Sequence, residues 1–394
     1  MRKLSLIILS LLVMCPTLPA RNQSSGKGQQ KLYSWERNRY RAPQFSNMVL
    51  CYGGSRHRKD YLWNQERFDS YVTYTDTTGR EDWLFDAFLC LEFEYLDTAT
   101  GTKYALMADQ VDGPSGGKPH WEAMLDYWFS PDNGLGALDS AISSAAGRLG
   151  KPSEKHKVIM FMPDPIPYLE ARNPHSSHVY WGEVDGRKLD FLNDGDRLRA
   201  YRWYVDNARE RFAKGKYRNL ELAGFYVMSE CITIPSEPWT DHAKLHDVIP
   251  PLSEYLHSVN EYLYWIPFSQ GAGWRRGREL GFDYVWMQPN HFWRGDDCPM
   301  ENFVGYLRDE GVGMEFELDT KVYESNPSHR TYRDRVREYI KCAKDEGIYG
   351  SQPIAYYIDS NCIHELRNSE SESDRAFYHE ICSFVTGNPL RNRK

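Results

Sequence analysis

The chain has 394 residues, 41% of them hydrophobic, and a formal net charge of -7. That apolar content supports a sizeable core, and the acidic balance without a basic stripe argues against a nucleic-acid partner. Aromatic residues make up 14%, with 12 Trp and 27 Tyr. A large core buries such rings, and sugars also stack their C–H faces on them.

Residues 1–20 read as an export signal. Arg2 and Lys3 precede an apolar run from Leu4 to Val13, Pro16 breaks it, and Ala20 offers a small residue for cleavage. The run is too short for a stable membrane anchor. A second reading places a lipid on Cys15, although Met14 stands where such signals carry a small side chain. Residues 21–32 are polar and rich in Gly, Ser and Gln, which predicts a flexible leader. Residues 33–394 then form one domain, and no later segment is apolar enough to span a membrane.

Eight short apolar, β-branched or aromatic runs follow. They are Asn47 to Gly54, Trp83 to Tyr95, Val158 to Pro163, Leu220 to Glu230, Tyr262 to Phe268, Phe282 to Asn290, Val312 to Asp319 and Ile354 to Asp359. Between them lie helical patterns at Arg197 to Lys214 with Asp196 as cap, at His242 to Val259, at Met300 to Glu310 and at Tyr332 to Glu346. Pro250 and Pro251 are expected to kink or split the second of these. Asp374 to Val385 closes the chain. Strands alternating with helices imply parallel pairing through right-handed crossovers. Eight such units predict an α/β fold of the closed (β/α)8 class, with long loops and any active site at the C-terminal ends of the strands. Residues 164–195 form the largest of those loops.

The cysteines are scattered without a C-x-x-C pair, so buried free thiols are expected rather than a disulfide framework. His242 and His246 are spaced four apart, but Ala243 stands where a metalloprotease carries Glu. His175 and His178 have no obvious third ligand. No metal and no cofactor is expected.

The acids at the strand ends carry the chemistry. The fourth run ends in Ser229-Glu230. The seventh reads Glu315-Phe316-Glu317-Leu318-Asp319, and strand alternation puts its three acids on one face. Phe316 and Leu318 should then face the helices and the acids the barrel interior. Inward carboxylates are costly unless hydrated, hydrogen-bonded or paired. They are therefore read as functional, against the bland alternative of an ion-pair cluster with an inward Arg or Lys. Glu315, the deepest, suits a structural role best. Two carboxylates flanking a bond are what glycoside hydrolysis requires. Glu230 is expected as general acid/base and Glu317 as nucleophile or base, with Asp319 in reserve.

Further substrate contacts are expected from Asp164, stiffened by Pro163 and Pro165, from Gln288 and Asn290 on one strand face, from His291 and Trp293 beyond it, and from Asp359. At each of these a plain turn or capping role competes. Glu92 and Glu94 share one face of the second run.

The stretches WGEVDGRKLDF (181–191), RWYVDNARERF (202–212), LELAGFYVMSE (220–230), YWIPF (264–268), GFDYVWMQPNHF (281–292) and GVGMEFELD (311–319) together resemble the domain-of-unknown-function family DUF4855, secreted proteins of Bacteroides-type bacteria. The resemblance spans nearly the whole mature chain. It implies a barrel related to glycoside hydrolases and little about substrate. The strand-four and strand-seven acids also look like those of retaining, clan-A glycosidases, in which Asn usually precedes the first Glu. Here that position is Ser229.

The leading expectation is an exported glycoside hydrolase with a carbohydrate partner, retention being favoured over inversion. A non-catalytic glycan-binding barrel is the alternative. It would keep an aromatic cleft without needing a facing acid pair.

Overall fold

A computed structural model describes residues 43–53, 62–108, 113–166, 181–233, 245–269 and 271–392. The expected export signal, leader and Cys15 lie outside these residues, as do His175, His178 and His242.

Eight parallel strands close into a barrel. They are β1 (Asn47–Tyr52), β2 (Ala87–Leu91), β3 (His156–Met162), β4 (Leu220–Val227), β5 (Leu263–Trp265), β6 (Tyr284–Met287), β7 (Gly313–Leu318) and β8 (Ile354–Ile358). Each pairs with its sequence neighbours, and β1 closes the ring onto β8. This is the (β/α)8 barrel that the sequence predicts. Nearly every strand residue is buried, as expected when helices cover the outside and side chains fill the lumen. Phe45 closes the lower end, stacking on Trp286 with ring centroids 6.0 Å apart.

The second run differs from expectation. It is not one bulged strand from Trp83 to Tyr95 but three pieces. Glu81–Trp83 belongs to a hairpin with Thr73–Thr75, only Ala87–Leu91 enters the barrel, and Glu94–Leu96 pairs with Lys103–Ala105. The half-buried Asp86 carboxylate separates the first two pieces. It turns aside to accept the backbone N–H of Ser46 at 2.8 Å and of Asn47 at 2.7 Å, fixing the start of β1.

The helices at Met300–Glu310, His329–Asp345 and Glu372–Thr386 match their patterns within a few residues. Asp194–Gly215 begins earlier than predicted. Asn193, not Asp196, is its cap, and its side chain accepts the Asp196 N–H. Pro250 and Pro251 do not kink a helix. They occupy the first turn of Ile249–Ser258, where a missing N–H costs nothing. Gln65–Val72, Lys118–Trp128 and Gly134–Leu149 are helices that the periodicity did not single out.

β4 contains the irregularity that orients the site. Its register against β3 shifts between Leu222 and Gly224. Gly224 has φ +137°, and a Cβ there would lie 2.6 Å from the Tyr262 carbonyl oxygen. Beyond this bulge Tyr226, Met228 and Glu230 continue in alternation. Gly224→Ala should destabilise the protein by roughly 1–3 kcal/mol through backbone strain and overpacking. A urea titration against the wild type checks this, and an unchanged midpoint would contradict it.

Candidate active site

β7 delivers its acids as the alternation requires. Phe316 points outward, its ring 5.4 Å from Tyr339 and 5.7 Å from Phe384 on the covering helices. Glu315 and Glu317 lie on the other face, 2% and 0% exposed. Among the described residues, burial, neutral donors and the neighbouring carboxylates, rather than a Lys or Arg, dominate the state of both carboxyls.

Glu317 is held by donors. The Asn290 N–H donates to its Oε1 at 2.9 Å, and the Tyr339 hydroxyl donates to its Oε2. The Phe292 N–H donates to Tyr339 Oη at 3.1 Å and also favours the Glu317 anion. Asn290 can aim its N–H this way because it takes a left-handed conformation, φ 58°, at the start of the short helix His291–Arg294. Asn tolerates that conformation better than most residues. Burial outweighs the donors and pushes the Glu317 pKa up to about 8, with the Glu230 charge adding to the rise. Burial also pushes Glu315 well above the ordinary carboxylate range, helped by Glu317 and Glu230.

Glu230 follows the end of β4 and is partly exposed, unlike the two β7 acids. Its backbone carbonyl accepts the Phe268 N–H at 3.2 Å. The buried Tyr226 phenol is pushed up by burial and then by Glu230, Glu315 and Asp164, in that order. These acids therefore share one electrostatic environment around Tyr226, with Glu230 as the member open to solvent.

Other predicted residues divide. Asp164 is 2% exposed, and its Oδ2 accepts the Ser229 hydroxyl and the Ala108 N–H, both at 2.9 Å. It is thus built into the wall beside Glu230. Gln288, Asn290, Trp293 and Asp359 remain partly exposed near the strand ends. The Gln288 amide donates to the Ile266 carbonyl at 3.1 Å.

Two expectations need correction. His291 is 4% exposed. Its Nδ1 lies 2.9 Å from the Cys298 carbonyl and its Nε2 2.7 Å from Glu338. Both ring nitrogens are spent inside the protein, so it braces the loop rather than touching a sugar. Asp319 is no reserve nucleophile. Its Oδ2 accepts Lys321 Nζ at 2.6 Å and the Trp293 indole N–H at 2.9 Å, and its Oδ1 accepts the Lys321 N–H at 2.7 Å. It caps a turn and anchors Trp293. Of the second-run pair, Glu94 bridges to Lys103 at 3.0 Å, whereas Glu92 is fully buried.

The sequence reading missed an aromatic row at the mouth. Trp293 meets Tyr357 (5.3 Å), Tyr357 meets Tyr52 (5.5 Å), and Tyr52 meets Phe93 (5.0 Å). Tyr357 is the register partner of Glu317, which brings this row beside the acids. The excess of Tyr and Trp was the available signal, but it could not say which rings converge.

Among the described residues no group of His, Cys, Asp or Glu is arranged to hold a metal ion. Cys51, Cys90, Cys362 and Cys382 are free, buried thiols. No helix among those residues is long and apolar enough to cross a membrane.

The family model for a domain of unknown function, DUF4855, matches residues 47–383. The chain belongs to the DUF4855 family. No curated protein matches its sequence. In fold this DUF4855 protein is similar to a glycoside hydrolase family 5 enzyme from Prevotella bryantii B14, at 12% identity and a TM-score of 0.41, covering 86% of this chain and 96% of that one. It is also similar to a GH18 chitinase from the chitin utilization locus of Flavobacterium johnsoniae, at 9% identity and a TM-score of 0.38, covering 87% and 95%. A tryptophan synthase from M. tuberculosis stands almost as near, at 11% identity and a TM-score of 0.36, covering 89% and 95%. Likenesses this distant cross unrelated chemistries, so function in this DUF4855 protein has to be argued from its site.

Proposed function

We propose that this DUF4855 protein is a glycoside hydrolase that cleaves an O-glycosyl bond held over the barrel mouth between Glu230 and Glu317. One observation carries the reading: the Glu230 carboxyl beyond β4 acts on the two buried β7 carboxyls, and among the described residues no cation forms an ion pair with those of β7. Keeping such groups together costs stability, which a purely structural cluster would avoid.

In this reading Glu230, open to solvent, is the acid/base. It protonates the leaving oxygen and later activates water. Glu317, fixed by donors from Asn290 and Tyr339, is the nucleophile, and retention is the stereochemistry favoured. The donors stabilise its anion at the moment it must act. Trp293 and Tyr357 offer a partly exposed aromatic surface for a sugar face. We propose export as well, supported by the apolar run from Leu4 to Val13 behind Arg2 and Lys3. Mass analysis of the mature N-terminus checks that point.

The test is a polysaccharide panel with product anomers read by NMR, run beside Glu230→Gln. Hydrolysis that disappears in the variant supports the reading. Hydrolysis undiminished in Glu230→Gln removes that residue from the chemistry. Glycan binding without hydrolysis would point to a binding protein instead. Trp293→Ala should raise KM by about tenfold, equivalent to one lost stacking contact of roughly 1–1.5 kcal/mol, and an unchanged KM would place the sugar elsewhere.

A further inference from the structure

The wall between β3 and β4 contains a polar bridge with no role yet in the proposed chemistry. Asp164 follows the end of β3 and is 2% exposed, and Ser229 follows the end of β4 and is 0% exposed. The Ser229 hydroxyl donates to Asp164 Oδ2 at 2.9 Å, and the same oxygen accepts the Ala108 N–H at 2.9 Å. Asp164 is pinned in turn through its own N–H, which donates to the Leu106 carbonyl at 2.7 Å. On the β5 side, the Trp265 indole N–H donates to the Ser229 carbonyl at 2.6 Å. Ser229 is thus clamped by side chain and backbone from two neighbouring strands, one residue before Glu230.

A buried hydrogen-bonded bridge is expensive to leave incomplete and rigid when complete. The bridge places the Asp164 carboxyl beside the residue that precedes Glu230, and both acids act on the Tyr226 phenol.

We infer that Asp164 is a positioning residue for Glu230: through the Ser229 hydroxyl it fixes the direction in which the next side chain leaves β4, and its buried carboxylate helps hold the proton on Glu230. It acts through Ser229 and by field, not by touching the sugar. Glu230 shares its surroundings with Asp164 beyond β3 and Tyr226 on β4, since both acids act on that phenol, and it acts on Glu315 and Glu317 of β7. A neighbouring carboxylate favours the protonated form of Glu230, so removing the Asp164 charge should lower the proton affinity of Glu230. The inference rests on the reading of Glu230 as the acid/base, but its test does not depend on activity.

The experiment titrates the Glu230 carboxyl by carbon-13 NMR in full-length protein labelled at Glu, with Glu230→Gln assigning the resonance. Asp164→Asn keeps an acceptor for Ser229 and Ala108 and removes the charge. It should lower the Glu230 midpoint by about one pH unit, the usual size of one close-charge effect. The descending limb of the rate profile should move with it. Ser229→Ala keeps the charge and breaks the bridge. It should lower kcat about tenfold with KM little changed, because it disturbs orientation rather than binding. A Glu230 midpoint unmoved in Asp164→Asn overturns the inference. If that variant does not fold, Ser229→Ala decides, and unchanged kcat with unchanged Glu230 chemical shifts overturns it. A wild type that hydrolyses no glycan defeats the functional reading, while the titration still decides whether Asp164 acts on Glu230.

Discussion

Glu317→Gln is expected to lower kcat for glycan hydrolysis by about 10³-fold or more while leaving the barrel folded. The amide keeps an oxygen for the Asn290 N–H and a polar neighbour for Tyr339. It cannot become an anion, so neither a covalent intermediate nor base catalysis is available to it. Single-turnover rates on the best substrate of the panel measure the loss. Full activity in the variant would exclude Glu317 from the reaction.

The same residue should set one limb of the pH profile. Burial pushes the Glu317 pKa up to about 8. Two carboxyls are needed in opposite protonation states, so kcat/KM of the wild type should be bell-shaped with one limb near pH 8. The profile has the same shape whichever carboxyl holds the single proton. Mass analysis of a trapped glycosyl-enzyme assigns the roles: a label on Glu317 is expected, and a label on Glu230 would reverse them.

The barrel was legible because its strands obey a simple rule. Each is a short, doubly buried apolar run, and each apart from the second stands clear of its flanking segments. The second failed where Asp86 and Glu92 interrupt a continuous apolar and aromatic stretch, since alternation cannot show that a carboxylate turns aside to cap β1. The inward face of β7 was legible for the same periodic reason, and Phe316 packs outward as the pattern demands. What holds the acids was not. Tyr339 reaches Glu317 from a covering helix, and Asp164 reaches Ser229 from a neighbouring strand. Both contacts join residues remote in sequence, which local spacing does not encode. Asp319 misled because its alternation is right. Lys321, two residues on, captures its carboxylate instead.

Stability should peak in the acid range and fall on both sides, because buried groups of opposite kind are charged at a cost in opposite directions. His156 begins β3, 3% exposed and packed 5.2 Å from the Trp83 ring. Burial, and then the Arg391 charge, lower its pKa to about 3. The unfolded chain takes up that proton near pH 6.5, so the native state loses stability as pH falls from there towards 3. Glu317 behaves oppositely. Its folded pKa of about 8 lies above the unfolded value, so stability is lost as pH rises from about 4.5 to 8. Glu315 adds to that loss, and so does Glu261, which burial raises to about 7. Each fully developed shift is worth on the order of a few kcal/mol, several degrees in melting temperature. Thermal melts from pH 4 to 9 should show wild type declining above pH 6 and Glu317→Gln declining less. His156→Phe should flatten the acid side alone. A wild-type melting temperature that holds level to pH 8 would mean that the β7 carboxyls ionise at little cost. The lumen would then be better hydrated than its burial indicates, and the case for a deliberately strained acid cluster would go with it.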